Sequence, residues 1–364
     1  MIQLKDLCQK ASSNIAQKDL EGHEGQYPIY GASGLIGYVD FYKQENPYVA
    51  VVKDGAGIGR VMCLPEKSSV IGTMQYILPN EGVNVHYLAF AMEHMNLAKY
   101  FSGATIPHIY FKDYCTERLP KNSEAEQKQI STTLSRVTEL ISLRKQQLSK
   151  LDELVKARFV EMFGDCKTNP KNWKTKALEK IANVGSSKRV FVEELQDSGI
   201  PFYRGTEIGA LAEKKAVIPA LFITEEHYKQ LCETTGKPQK GDLLMPSICS
   251  DGRIWIVDTD EPFYFKDGRV LWVHLTSANY NSVFLLYTLK DRIMTDYASI
   301  ASGTTFAELK IFALKKCKIF DVPLELQNQF ATFIERVDRQ KQTVQQSLEK
   351  LELMKKALMQ EYFG

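Results

Sequence analysis

The chain resembles itself at an offset of two hundred positions, and no other feature restricts its fold as tightly. Residues 126–164 align without a gap on residues 326–364. Gln127, Gln129, Thr132, Arg136, Val137, Gln146, Leu148, Lys150, Leu151, Lys156, Ala157, Glu161, Phe163 and Gly164 all recur two hundred positions later. Upstream, the same offset pairs Ser102, Gly103 and Thr105 with Ser302, Gly303 and Thr305. Self-similarity at a fixed spacing marks one structural unit built twice, so the chain reads as two homologous halves in tandem. Its 364 residues agree, being more than a single hydrophobic core usually serves.

Within the repeat the apolar spacing selects helix. A helix brings residues three and four apart onto one stripe, whereas a strand alternates every second residue. Ile130, Leu134, Val137, Ile141, Leu148, Leu151 and Val155 follow steps of four and three, as do Phe330, Ile334, Val337, Val344, Leu348 and Leu351. Arg144 and Lys341 interrupt the two stripes, and polar seam residues of this kind fix register or partner at a cost in stability. No Gly or Pro breaks either segment between Ser123 and Phe163 or between Leu324 and Phe363. Each is expected to run ~40 residues and ~60 Å. Neither can bury its stripe alone. The simplest pairing is of the two with each other, antiparallel because a globular domain lies between them; pairing with another protein's helices is the alternative.

The segments ahead of the helices are mixed and mainly β. YPIYG, LIGYVDFY, YVAVV, GRVMCL and MQYILP read as strands bounded by turn residues, and His86–Tyr100 as a helix with Leu88, Met92, Met95 and Tyr100 inward. The second half repeats the plan with VFVEEL, PFYRGTEI, DLLMPSI, RIWIVD and RVLWVHL, then the helix NSVFLLYTLKDRIMTDYAS. The expected architecture is α+β: a domain over 1–122, a helix over 123–163, a second and longer domain over 164–322, and a helix over 323–364.

Composition excludes several classes. At 44% hydrophobic and 25% charged the chain is an ordinary globular protein, neither disordered nor fibrous. A net charge of +2 does not by itself point to a polyanion partner. The seven cysteines, Cys8, Cys63, Cys115, Cys166, Cys232, Cys249 and Cys317, form no Cys-x-x-Cys pair and read as reduced thiols. The first ten residues are polar where a secretory signal is apolar, and no apolar run approaches the ~18 residues of a membrane span. A cytoplasmic location is expected.

No catalytic constellation stands out. The glycines at 31, 34 and 37 and at 55, 57 and 59 do not open a long helix in the Gly-x-Gly-x-x-Gly pattern, and no phosphate loop ending in Gly-Lys-Ser/Thr occurs. Tight turns are the better reading. Asn46-Pro47-Tyr48 lacks the second proline of the adenine methyltransferase loop. The histidines His23, His86, His94, His108, His227 and His274 show no metal-binding helix spacing, and no nucleophile sits in an elbow. Neither a catalytic residue nor a metal ligand is assigned.

GQYPIYGASGLIGYVD, VVKDGAGIGRV, SGATIPHIYFKD and the Gln-containing opening of each long helix resemble type I restriction-modification specificity subunits over essentially the whole chain. The resemblance implies two target-recognition domains separated by spacer helices, with no catalysis by this chain. Partners implied are double-stranded DNA with a bipartite site, two modification (methyltransferase) subunits and restriction (translocase/nuclease) subunits. S-adenosylmethionine, ATP and Mg are implied on those partner subunits, not here. In the second half DLLMPSICSDGRIWIVD stands in place of the glycine-rich segment and Tyr203-Arg204-Gly205 in place of Tyr30-Gly31, as expected of domains that read different half-sites.

Phosphate contacts position a DNA reader and base-edge contacts give it specificity, which favours polar and basic loop residues. Candidate DNA contacts are Lys53, Arg60, Thr73, Gln75, Thr105 and His108 in the first domain, and Arg204, Arg253, Lys266, Arg269, Thr304 and Thr305 in the second. Solvated surface or turn packing is the competing reading for each, and Ser-Gly-x-Thr also suits a chain terminus of the domain. Two half-sites on one face of a duplex lie a helical turn or a multiple of it apart, so the helices are expected to act as a ruler. A scaffold with paired helices and protein-binding domains is the second reading. A free-standing nuclease or methyltransferase is the third, opposed by the missing motifs.

Overall fold

The computed structural model describes residues 1–55, 57–102, 107–302 and 307–364. It divides into two compact units, one formed by Met1–Leu148 with Thr343–Gly364 and the other by Ser149–Gln342. Each unit holds one α+β domain together with part of both long helices, Glu124–Phe163 and Leu324–Phe363, each 40 residues. Ser123 opens the first helix with a capping box: its backbone N–H and hydroxyl both donate to Glu126 Oε2, at 2.7 Å each. Those bonds hold the Glu126 carboxyl below its ordinary range. The second helix starts directly after Pro323, a residue suited to a helix entrance.

The helices run antiparallel within each unit. In the first unit Arg144 Nε donates to Ser347 Oγ at 3.2 Å, while Ile130 and Leu134 share a core with Met359 and Phe363. In the second, Asp152 meets the Lys341 ammonium and the Phe163 ring lies 5.4 Å from Phe330. The stripe positions are covered: Leu134, Val137, Phe330, Ile334, Val337, Val344 and Leu348 are buried, as is Ile130, while Ile141, Leu148 and Leu151 are half-buried. Arg144, in the first unit, and Lys341, in the second, each lie in the helix seam of their own unit, half-buried, with polar partners.

Both domains are built on one plan. In the first, a four-stranded antiparallel sheet runs in the order Cys8–Ser12, Met74–Pro79, Tyr48–Val52, Val61–Leu64. In the second the order is Ala182–Gly185, Val270–Leu275, Leu243–Pro246, Trp255–Ile256. Each has a three-stranded companion whose middle strand, Tyr27–Gly31 or Ile200–Tyr203, pairs antiparallel on one side and parallel on the other. The central strands Tyr48–Val52 and Leu243–Pro246 are buried throughout, which suits their β-branched and aliphatic runs.

A glutamine ties each domain to its helix. Gln127 Oε1 accepts from the Asn84 N–H at 3.0 Å and its amide donates to Asn122 O at 3.1 Å. Two hundred positions on, Gln327 Oε1 accepts from Asn281 N–H at 2.9 Å, and its amide donates to Asn279 O and Val322 O. Asn84 and Asn281 in turn cap the domain helices Val85–His94 and Ser282–Ile300. The recurring glutamines of the repeat are therefore buried structural links, at 5% and 0% exposure.

Three local expectations are corrected, the first being the strand read over PFYRGTEI, which ends at Tyr203 and gives way to the helix Gly205–Ala212. Val190–Leu195 is not a strand but a single 3₁₀ turn at Val192–Glu194, because Phe191 and Val192 have no sheet to lie on and remain exposed. The helix expected over His86–Tyr100 stops at His94 and resumes as a 3₁₀ turn at Leu97–Tyr100, since Asn96 adopts a left-handed conformation (φ 50°).

Candidate nucleic-acid interface

Past Val52 the central strand of the first domain gives way to a run rich in glycine. Gly55, Gly57 and Gly59 all have positive φ, and a Cβ on Gly59 would come within 2.5 Å of Ala98 N. Only glycine satisfies both demands, so this motif is turn chemistry. Its ends form a corner with the segment leading to the long helix. Lys53 N–H donates to Thr73 O at 3.0 Å, Ile109 N–H to Lys53 O at 3.0 Å, and Gly55 N–H to Pro107 O at 3.1 Å. Asp54 gathers the side chains here: one carboxylate oxygen lies 3.3 Å from the Lys53 ammonium and the other contacts His108 Nδ1. The His108 ring stands 4.1 Å from that of Tyr110, which is exposed.

Lys53, Thr73 and His108 therefore converge, although they lie far apart in sequence. Arg60 is exposed, and its Nη1 donates to Ala32 O at 2.6 Å, which braces the hairpin turn. Gln75 faces the interior: it is 7% exposed and its Oε1 accepts from Tyr114 OH at 3.3 Å. Thr105 lies outside the described residues, as do Thr304 and Thr305.

The second domain forms the same corner. Ser247 N–H donates to Arg269 O at 2.9 Å and Leu309 N–H to Ser247 O at 2.7 Å. These bonds put Ser247 in the place of Lys53, Arg269 in that of Thr73 and Glu308 in that of His108. The side chains differ in kind. Arg269 Nη1 pairs with Glu308, and Lys310 Nζ lies 3.4 Å from the other Glu308 oxygen.

Arg204 and Arg253 collect around a helix, Gly205–Ala212, that has no counterpart among the described residues of the first domain. Arg204 precedes it and grips Glu207 by two side-chain bonds of 3.2 and 2.6 Å. Burial pushes the Glu207 carboxyl up, but the bonds from Arg204, Thr206 and the backbone outweigh it and bring its pKa down to about 2. Arg253 pairs with Asp251 at 2.7 Å and packs over Gly209, where a Cβ would come within 2.8 Å of Nη1. Lys266 is exposed and, among the described residues, has no ion partner; its N–H donates to Tyr203 O at 2.9 Å. Asp54, Glu308 and Lys310 were not singled out from sequence, although the repeat offset places Glu308 opposite His108.

Among the described residues no group of three or more His, Cys, Asp or Glu side chains is placed to hold a metal, and no helix is long and apolar enough to cross a membrane. What the fold defines is a class: a duplicated α+β domain on paired helices, with polar groups on matching corners. Comparison with known proteins makes the class specific. The sequence profile of the type I restriction modification DNA specificity domain matches residues 1–153 and 170–353. The chain belongs to this family, the type I restriction-modification specificity subunits, and carries two target-recognition domains.

Similar proteins agree. A putative type I restriction enzyme specificity subunit of Haemophilus influenzae is 23% identical over 322 residues, covering 86% of this chain and 80% of the relative. The MjaVIII type I specificity subunit of Methanocaldococcus jannaschii is 23% identical over 391 aligned residues, covering 98% and 89%. The crystal structure of a type I S subunit from M. genitalium superposes with a TM-score of 0.65 at 16% identity, over 100% of this chain and 95% of that one. A chain from a study of type I system assembly and conformational transition gives 0.56 at 14% identity, over 99% and 96%. At such identities the likeness is one of fold.

Proposed function

We propose that this chain is the sequence-specific DNA-binding subunit of a type I restriction-modification complex, reading a bipartite site with one domain per half-site. The carrying observation is the matched corner: one backbone frame, built twice, bearing Lys53, Asp54 and His108 in one copy and Arg269, Glu308 and Lys310 in the other. A shared frame with exchanged polar groups is what reading two different targets requires, because sequence is read by side-chain hydrogen bonds to base edges. The long helices set the gap between half-sites and dock two methyltransferase subunits. Restriction subunits join the complex, which works in the cytoplasm. S-adenosylmethionine, ATP and Mg belong to those partners, and this chain supplies the address while they supply the reaction.

The deciding experiment is methylome sequencing of cells expressing the chain with its cognate modification subunit, against cells lacking the chain. A split N6-methyladenine motif present only with the chain is expected. No chain-dependent methylation overturns the reading and leaves a protein-binding scaffold. Inserting one helical turn into both helices is expected to lengthen the gap and leave both half-sites unchanged.

A further inference from the structure

The four-stranded sheets of the two domains superimpose in connectivity down to single hydrogen bonds at the corner. In each, the residue after the buried central strand donates to a carbonyl just ahead of the neighbouring strand, Lys53 to Thr73 and Ser247 to Arg269. In each, its own carbonyl accepts from the residue following position 108 or 308, Ile109 or Leu309. Positions 108 and 308 are also paired antiparallel with Ser102 and Ser302. The backbone therefore presents His108 and Glu308 in equivalent places, on a framework whose bonds do not involve their side chains.

Each side chain is held by an ionic partner, and the two partners come from different positions of the frame. His108 is held by Asp54, which follows Lys53 on the strand exit; Glu308 is held by Arg269, which occupies the Thr73 position. His108 and Glu308 are each about one-quarter exposed, 25% and 27%, so neither is closed off by its partner. A partner that fixes a polar side chain without covering it lowers the entropy lost when that side chain meets a ligand. The chemistry offered differs: a carboxylate accepts from an exocyclic amino group, an arginine donates to guanine O6 and N7, and with Nδ1 engaged the histidine has Nε2 left as its polar atom.

We propose that the pairs Asp54–His108 and Arg269–Glu308 are specificity-determining, each selecting a base in the half-site that its own domain reads. The assignment rests on the DNA-reading function proposed above. It requires that a change at one pair alter one half-site and leave the other intact. Packing residues would not behave so, since they act on stability and change no base preference.

The test maps N6-methyladenine in cells carrying the cognate modification subunit with wild-type chain, Glu308→Gln or His108→Gln. Wild type is expected to give a split motif; its absence overturns the reading and this assignment together. Glu308→Gln keeps the shape and removes the charge, and is expected to relax or switch one base in one half-site by at least tenfold in methylated-site frequency. His108→Gln is expected to do so in the other half only. An unchanged motif from both variants overturns the assignment while the reading stands. Should Glu308→Gln abolish methylation, Glu308→Asp decides: a restored wild-type motif supports the assignment, and continued loss overturns it.

Discussion

In the first domain the strand Tyr27–Gly31 turns back through Ala32 and Ser33 into Gly34–Val39. In the second, the matching strand Ile200–Tyr203 runs out through the helix Gly205–Ala212 and returns only at Phe222–Ile223. Sheet order, the glutamine bond to the capping asparagine and the two corner bonds through Lys53 or Ser247 recur in both. What differs is what the loops carry: glycines braced by Arg60 in one, an Arg204–Glu207 clasp and an Arg253–Asp251 pair in the other. A duplicated domain diverges cheaply in loops, where surface polar groups tolerate exchange, and resists change where buried polar atoms must find partners.

That contrast is open to test at several levels. The largest effect is expected in the aromatic knot of the second unit. Phe330 is fully buried against Phe159, Phe163 and Tyr287, whereas its counterpart Ile130 retains 8% exposure. Phe330→Ala is expected to cost about 3–5 kcal/mol, and Ile130→Ala about 2–3 kcal/mol, read as shifts in urea midpoint. Equal costs would show that the two anchors carry the same load despite their different surroundings.

The glutamine links come next. Gln327 makes three hydrogen bonds at 0% exposure and Gln127 two at 5%. Truncation to Ala strands the buried partners, at about 2–3 kcal/mol for Gln327 and about 1–2 kcal/mol for Gln127. A reversed order in thermal unfolding would break the parallel between them.

Acid distinguishes the domains further. The folded-state pKa of Glu207, about 2, lies below its ordinary value of 4.5, so its contribution is present above pH 4.5 and is lost as the pH falls toward 2. The first domain has no equivalent carboxylate, because Gly31 occupies the place of Arg204 and the chain turns at once. Glu207→Gln should flatten the stability curve between about pH 4.5 and 2; an unchanged acid limb would mean the clasp persists in the unfolded chain. The smallest effect is expected at Lys341, whose partner Asp152 is 71% exposed. Lys341→Ala should change stability by no more than about 1 kcal/mol, and a larger loss would mark the seam as a stronger register device than solvent-exposed pairing allows.

Much of this was legible in the sequence. The heptad steps from Ile130 to Val155 and from Phe330 to Leu351 located both helices, and YPIYG, YVAVV and MQYILP are strands over the residues read as such. VFVEEL was misread because β-branched and aromatic residues signal a strand only if a neighbour accepts it. Among candidate contacts, Lys53, Thr73 and His108 meet at one corner, whereas Gln75 faces the core beside Tyr114. Alternation along Met74–Pro79 did not reveal that inward turn, since every residue from Met74 to Ile77 is buried.

By itself the sequence determined the duplication, the helices and their stripes, because these depend on local periodicity and on a repeat written in the chain. Only the tertiary structure decided which distant residues became partners. That Asp54 holds His108 while Arg269 holds Glu308 follows from how strands are ordered and registered, and sheet register depends on contacts between segments far apart in the chain.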